Sequence, residues 1–239
     1  MATIIQPTPA LVGKEAKEFW KKIENYETYL KEKGISLSRK KIEKDAAFFK
    51  SLFKKEKTEI DDNISVSLLT EKHKIKPFDC GNEQLNEFLL QEALPYKKEL
   101  LATTFIIENN ERTLGYYSLL NDSFRVEETF FVSKNQYRKF LRELIPYPKR
   151  YLRAIPAIKI GRLAIDKTYK GKGLGSLIIH NIINDCLEHN ERQACRLITI
   201  DAYKQSVSFY EKLGFISFTE KDKNENIRQM FLDLSKIQN

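Results

Sequence analysis

The sequence has few of the residues on which disulfide-bonded and metal-binding proteins depend, with three cysteines and three histidines among 239 residues. An odd number of cysteines without a Cys-x-x-Cys pair argues against a disulfide framework and a structural zinc site. Two of the histidines, His180 and His189, lie nine positions apart, which is not the spacing of metal ligands on one helix face. We therefore expect an activity that uses no metal ion.

Long apolar runs are also missing from the sequence. No stretch approaches the ~20 apolar residues that a membrane-spanning helix needs, and residues 1–12 lack the charged start and apolar core of a signal peptide. The chain is long enough for one domain and an appendage. These features favour a cytoplasmic protein that does not enter a membrane.

Positive charge is unevenly distributed along the chain. The net charge is +8, and residues 1–58 hold +6 of it, with 14 Lys or Arg against 8 Asp or Glu. Segment 133–153, here called the basic strip, sets several cations against the single acid Glu143. Its basic residues are Lys134, Arg138, Lys139, Arg142, Lys149, Arg150 and Arg153. Such a strip suits a polyanionic partner, but it is equally typical of a solvated helix face.

Residues 1–58 have the pattern of two amphipathic helices separated by Gly34. The apolar positions are Ala16, Phe19, Ile23, Tyr26 and Leu30 in the first helix and Ile42, Ala46, Phe49 and Phe53 in the second. Two such helices have little core of their own, so we expect them to pack on the main domain, a partner chain or a second copy. The charged segment 54–63 predicts a linker, which divides the chain into an N-terminal helical appendage (1–58) and a main domain (59–239).

Helices and strands alternate from Ile64 onward. We predict strands at 65–70, 103–108, 114–120, 157–165, 196–202, 215–218 and 230–234, and helices at 82–90, 133–144, 173–188 and 205–213. The polar turn 109–112 joins its two flanking strands into a hairpin. This succession predicts a mixed α/β layer fold.

Three of the nine glycines, Gly171, Gly173 and Gly175, fall between a predicted strand and a predicted helix. Glycines there let backbone N–H groups approach a ligand, and the start of the helix adds a positive dipole end, so a phosphate is the expected guest. Ser176 stands where a dinucleotide-binding motif needs glycine or alanine and where a P-loop needs glycine. Both motifs are thereby excluded, which leaves another phosphate ligand or merely a tight turn.

The run 170–175, Lys-Gly-Lys-Gly-Leu-Gly, resembles the acetyl-CoA pyrophosphate loop of the GNAT superfamily of N-acetyltransferases, although Lys170 replaces the usual Arg or Gln. Residues 208–215, Ser-Phe-Tyr-Glu-Lys-Leu-Gly-Phe, resemble the F-Y-E-K-x-G-F segment of the same superfamily. The resemblance implies the GNAT fold, a mixed and mostly antiparallel sheet flanked by helices, with acetyl-CoA as acetyl donor. The implied cofactor-binding residues are Leu163, Ile165, Lys170, Gly171, Lys172, Gly173, Leu174, Gly175 and Ser176.

Three further segments, 78–89, 115–119 and 160–166, resemble the GNAT toxins of bacterial toxin–antitoxin modules. Those toxins acetylate the amino acid on charged tRNA, so that it no longer accepts a peptide and translation stalls. The resemblance implies an aminoacyl-tRNA acceptor and a separate antitoxin protein as partner, while a homodimer stays open. The basic strip suits this acceptor. The substrate-binding candidates are Arg138, Arg142 and Arg150 in the strip and Arg162, a charge inside an apolar strand.

Tyr210 is the candidate general acid, because a phenol stays protonated at neutral pH and supplies a proton to a thiolate. The resemblance gives the tyrosine of F-Y-E-K-x-G-F the same role. Without the resemblance, a core tyrosine on an amphipathic helix is the simpler interpretation. Asp166, Glu211 and Asp201 are all open as a base, and the weakly basic α-amine of an aminoacyl ester does not require one.

Two other functions are consistent with these residues. One is a GNAT enzyme that acetylates a small-molecule or protein amine, and the other is a catalytically inactive interaction module with the GNAT fold. The intact Gly173, Gly175 and Tyr210 argue against the inactive module. Residues 1–58 have three candidate roles, namely restraint of the enzyme, tRNA capture and structural support, and restraint is the first hypothesis.

Overall fold

The computed structural model describes residues 14–51, 64–125, 133–135, 138, 154–218 and 221–237. The helices are α1 Lys14–Glu24, α2 Tyr26–Glu32, α3 Arg39–Ser51, α4 Glu83–Glu87, α5 Ala93–Lys98, α6 Leu174–His189 and α7 Val207–Lys212. A π-helical turn, Phe88–Glu92, joins α4 to α5, and short 3-10 turns occur at Lys204–Ser206, Lys221–Asn224 and Leu234–Lys236. The strands are β1 Ser65–Leu68, β2 Thr103–Glu108, β3 Thr113–Arg125, β4 Ala154–Ile165, β5 Leu197–Tyr203, β6 Ile216–Ser217 and β7 Ile227–Asp233.

These strands form one sheet in the order β1-β2-β3-β4-β5-β7-β6. Every neighbouring pair is antiparallel except β4 and β5, which are parallel. β2 and β3 form the predicted hairpin across residues 109–112. The segment from α4 to α5 buries Phe88 against Tyr116 of β3, with ring centroids 6.1 Å apart. The predicted fold class, a mixed and mostly antiparallel sheet flanked by helices, is confirmed.

β4 and β5 are paired over only part of their length. Their parallel register ends with Ile160 opposite Ile200. Beyond that pair, β4 continues to Ile165 against β3, and β5 continues to Tyr203 against β7. The register of β4 against β3 shifts at Gly161, where β4 carries one extra residue in a β-bulge. The two strands therefore part after Ile160 and Ile200 and leave an opening within the sheet.

The N-terminal helices pack on this sheet. The ring centroid of Phe19 in α1 lies 4.6 Å from that of Phe124 in β3. Phe19, Ile23 and Phe49 are buried in a core cluster that also contains side chains of the sheet. Of the three partners that the sequence left open for the appendage, these residues thus pack on the main domain, whereas Phe53 lies outside the described residues.

Two polar contacts hold the appendage at further points. The Tyr26 hydroxyl in α2 donates a hydrogen bond to the carbonyl of Gly214, in the turn that follows α7. In α3, Asp45 Oδ2 lies 2.7 Å from Nδ1 of His180 in α6. The first predicted helix is divided at Asn25 into α1 and α2. The appendage thus contacts both α6 and the turn after α7.

The helix predicted over 82–90 is longer than expected. The π-helical turn carries it past Leu90, and α5 continues it to Lys98. The change of helical repeat comes just before Pro95, a residue that lacks an N–H and usually ends a helix. At the end of the π-helical turn the N–H of Ala93 donates to the carbonyl of Phe88, five residues earlier.

Several predictions on chain organisation lie outside the described residues. They include the linker at 54–63, and the division of the chain at residue 58 therefore stays a prediction. Most of the predicted basic helix over 133–144 is also outside them. Among the helices that the structure does describe, none is long and apolar enough to cross a membrane.

Candidate active site

A cavity of about 520 Å³ lies where β4 and β5 part, and it is here called the β4–β5 cavity. The ends of both strands, the glycine-containing loop before α6, the first turn of α6 and part of α7 line it. No described residue of the appendage, 14–51, belongs to this lining. The hypothesis that the appendage restrains the enzyme by covering the cavity therefore has no support in α1–α3.

Two backbone amides of β4 face this opening. The N–H of Asp166 donates to the carbonyl of Leu114 in β3, at 2.8 Å. Because N–H directions alternate along an antiparallel strand, Ala164 also points toward β3, whereas Ile165 and Leu163 point the opposite way. That direction leads to the β5 side, where the pairing has already ended. The geometry thus leaves the N–H groups of Leu163 and Ile165, two of the predicted cofactor-binding residues, directed into the cavity.

The glycine-containing loop forms an open cradle at the start of α6. Gly171 and Gly173 have positive φ values of 79° and 86°, a conformation that residues with a side chain rarely adopt. A Cβ on either glycine would meet no atom within 4 Å. Gly173 precedes the 16-residue α6, whose first N–H groups and positive dipole end lie at the same place. This arrangement suits an anionic group such as a phosphate.

Eight of the nine predicted cofactor-binding residues line the cavity, namely Leu163, Ile165, Lys170, Gly171, Gly173, Leu174, Gly175 and Ser176. The exception is Lys172, whose Nζ lies 4.2 Å from the ring centroid of Tyr169. The structure therefore brings most of the predicted set to one place.

A network around Asp79 fixes the chain just before this loop. The backbone N–H of Asp79 donates to Oδ2 of Asp166 at 3.1 Å, and the backbone N–H of Lys167 donates to the Asp79 carbonyl at 2.9 Å. Lys167 Nζ also lies 2.7 Å from Asp79 Oδ2, and this hydrogen bond holds the pKa of Asp79 below its usual range. Lys170 Nζ donates to the carbonyl of Cys80 at 2.7 Å. Segment 78–81, which belongs to one of the segments that resemble the toxins, thus stabilises the position of the glycine-containing loop.

Tyr210 projects from α7 into the lining of the cavity and is 6% exposed. The rings of Phe209 and Phe215 lie 4.9 and 5.6 Å from its ring, centroid to centroid. Burial raises the pKa of Tyr210 above its ordinary value. The phenol is therefore protonated at neutral pH.

The three candidate bases lie in different places. Asp166 accepts hydrogen bonds from the hydroxyl and N–H of Thr168 and pairs with Arg112 at 3.2 Å, outside the cavity lining. Glu211 lines a different cavity, between α1–α2 and β6. Asp201 is the one carboxylate among the described residues that line the β4–β5 cavity.

The predicted substrate-binding arginines are only partly placed. Arg162 lines the cavity, with its guanidinium 4.9 Å from the centre of the Phe88 ring and Nη1 donating to the carbonyl of Gly161 at 2.7 Å. Arg138 is exposed, whereas Arg142 and Arg150 lie outside the described residues. Within the described ranges no cluster of three or more His, Cys, Asp or Glu side chains is placed to hold a metal ion.

The sequence patterns did not predict two features of the site. One is the bulge at Gly161, for which a glycine inside a strand was the available signal. The other is an ion pair between Lys159 Nζ and Asp201 Oδ2, 2.9 Å apart. Its signal was a charged residue at an inward position in each of two apolar strands.

Comparisons with known proteins agree with this geometry. The family model described as acetyltransferase (GNAT) domain matches residues 150–234. A tRNA-acetylating toxin of Mycobacterium tuberculosis (strain ATCC 25618 / H37Rv) is 25% identical over 142 residues, which are 59% of this chain and 77% of that protein.

Solved structures are similar over most of the chain. The structure of AtaT complexed with acetyl-methionyl-tRNAfMet matches with a TM-score of 0.56 and 27% identity, covering 73% of this chain and 96% of that one. The structure of AtaTR bound with AcCoA matches with a TM-score of 0.59 and 26% identity, covering 74% and 97%. Residues 150–234 thus belong to an acetyltransferase (GNAT) domain, and the solved structures share the fold over most of the chain.

Proposed function

We propose that the protein is a toxin that transfers an acetyl group from acetyl-CoA to the amino group of an aminoacyl-tRNA and so blocks translation. The observation that carries the proposal is the convergence of the opened β4 edge, the glycine cradle and Tyr210 on one cavity. Similarity to a tRNA-acetylating toxin and to a toxin complexed with acetylated tRNA supports the acceptor.

The pyrophosphate of acetyl-CoA fits the cradle before α6. Backbone N–H groups of residues 171–175 and the dipole of α6 supply positive potential without a fixed side chain in the way. The N–H groups of Leu163 and Ile165 are free to bind the pantetheine arm and the acetyl oxygen along β4. Positioning of the thioester then follows from the rigid sheet.

Acetyl transfer needs an oriented amine, an oxyanion site and an acid. The amine nitrogen forms a bond to the thioester carbonyl carbon, the C–S bond breaks, and the thiolate takes a proton from the Tyr210 hydroxyl. The amine loses one proton in exchange, so charge and atoms balance after Tyr210 regains its proton from solvent. The buried, protonated phenol at the cavity wall suits this role.

The acceptor approaches from a surface that carries cations. Arg162 lines the cavity, and Arg138 is exposed in the basic strip. With Arg142 and Arg150 we propose them as the groups that bind tRNA phosphates. An antitoxin is the expected protein partner, since similar toxins are found in such complexes.

The proposal is tested by acetyl transfer from labelled acetyl-CoA to a pool of charged tRNAs. We expect label on the aminoacyl group, released as the N-acetyl amino acid on mild alkaline hydrolysis. The same tRNA pool without amino acids is the control and should take up no label. Label that appears on polyamines or protein amines but on no charged tRNA would establish the small-amine or protein-amine alternative instead.

Replacement of Gly173 by valine tests the cradle. We expect the affinity for acetyl-CoA to fall roughly ten- to a hundredfold, because a strained residue with a side chain would remove one or more charge-assisted backbone hydrogen bonds. Gly34→Val is the matched control, since Gly34 has a similar φ of 66° and open surroundings but lies in the appendage. Calorimetric titration that gives the same affinity for folded Gly173→Val and Gly34→Val would refute the cradle.

Replacement of Tyr210 by phenylalanine tests the acid. The ring still packs on Phe209 and Phe215, so we expect cofactor affinity to be nearly unchanged. Single-turnover acetyl transfer should slow on the order of a hundredfold, within the usual range for one general acid. A loss below about threefold would assign proton donation to water or another residue.

A further inference from the structure

A buried ion pair lies at the point where β4 and β5 separate. Lys159 precedes Ile160 and Asp201 follows Ile200, so the pair flanks the last parallel contact between the strands. The side chain of Lys159 is 3% exposed and that of Asp201 is 15% exposed. Burying such a pair costs about as much as the pair gains, and apolar residues would serve the sheet equally well. Its presence here points to a use other than stability.

Only one residue of the ion pair is exposed to the cavity. Asp201 lines the β4–β5 cavity, whereas Lys159 does not. Among the described residues Asp201 has two polar partners, Lys159 at 2.9 Å and the side-chain amide of Gln229 at 3.4 Å. A carboxylate has about four lone-pair directions, so acceptor capacity is left on a carboxylate that lines the cavity. The other charged groups on the lining, Arg162 and Lys170, are cations.

From this placement we infer that Asp201 is the residue that binds the acceptor's amino group and turns it toward the thioester. The inference rests on the proposed acetyl transfer to an aminoacyl-tRNA. An N–H of the amine donates to the Asp201 carboxylate, which leaves the nitrogen lone pair directed away from Asp201. After the N–C bond forms, the same carboxylate takes the proton that the amine must lose, while Tyr210 protonates the departing thiolate.

Lys159 is a positioning residue for Asp201. Its ammonium group lies 2.9 Å from one carboxylate oxygen of Asp201 and so fixes the orientation of that carboxylate. A cavity lining with one carboxylate and two cations also fits a charged-tRNA acceptor, whose small amino group is attached to a polyanion. Free cationic amines would meet the repulsion of Arg162 and Lys170 at the same wall.

The test compares two ligands that differ at one atom. They are a tRNA charged with an amino acid and the same tRNA charged with the corresponding hydroxy acid, which lacks the amine. For the parent protein we expect the aminoacyl form to bind roughly tenfold or more tightly, the usual effect of one charge-assisted hydrogen bond. Removal of the Asp201 carboxylate should abolish this preference and slow acetyl transfer, with unchanged affinity for acetyl-CoA.

The variants are chosen so that folding does not obscure the result. Asp201→Asn alone removes the carboxylate that pairs with the buried Lys159 ammonium, so the double variant Lys159→Met, Asp201→Asn removes both charges together. Asp185→Asn is the control for loss of an acid, since Asp185 pairs with Lys50 on the surface and lies outside the cavity lining.

The outcomes separate the inference from the function on which it rests. A folded double variant that keeps the parent's preference for the aminoacyl form, or its rate, overturns the role of Asp201. A parent protein that acetylates no charged tRNA overturns the proposed function instead. In that case the double variant is assayed with whichever amine the parent accepts, and an unchanged KM for that amine overturns the role of Asp201 as well.

Discussion

The early end of pairing between β4 and β5 is the constraint on which the rest of the site depends. A sheet normally satisfies its backbone N–H and C=O groups between neighbouring strands. Here β4 leaves β5 after Ile160 and Ile200, so Leu163 and Ile165 keep N–H groups that require another partner. An extended ligand with hydrogen-bonding groups fits this edge, and every proposed catalytic group stands around the same opening.

Three parts of the chain outside β4 and β5 stabilise the opening between these strands. The Asp79 network fixes the chain between β4 and the glycine cradle. The rings of Phe209 in α7 and of Phe215, after the turn that follows α7, pack on Tyr210. The appendage contacts α6 through Asp45 and the turn after α7 through Tyr26. Its described helices thus support the elements that carry the cradle and Tyr210, and structural support is the role that these contacts favour.

Local signals in the sequence predicted the parts of the site that lie close together along the chain. Gly171 and Gly173 identified the cradle because their spacing and flanking strand and helix are visible within twenty residues. The hairpin of β2 and β3 and the burial of Phe19 followed from local periodicity in the same way. The motif around Tyr210 located a residue that the structure then places at the cavity wall.

Contacts between distant segments were not predictable by the same reasoning. The separation of β4 from β5 depends on the register of each strand against a different neighbour, which no local pattern encodes. The pairing of Lys159 with Asp201 and the bracing of the loop by Asp79 depend on that register and on the path of α4. A charged residue inside an apolar strand is the one sequence signal that indicates such a contact, because it needs a partner or a ligand.

Residue-resolved hydrogen exchange tests most directly whether the opened edge of β4 is the cofactor-binding edge. The exchange rates of the Leu163, Ala164 and Ile165 amides are compared with and without saturating acetyl-CoA. We predict that Leu163 and Ile165 become protected, while Ala164, whose N–H already points toward β3, changes little. Unchanged exchange at both Leu163 and Ile165 in the saturated protein would contradict the role assigned to this edge.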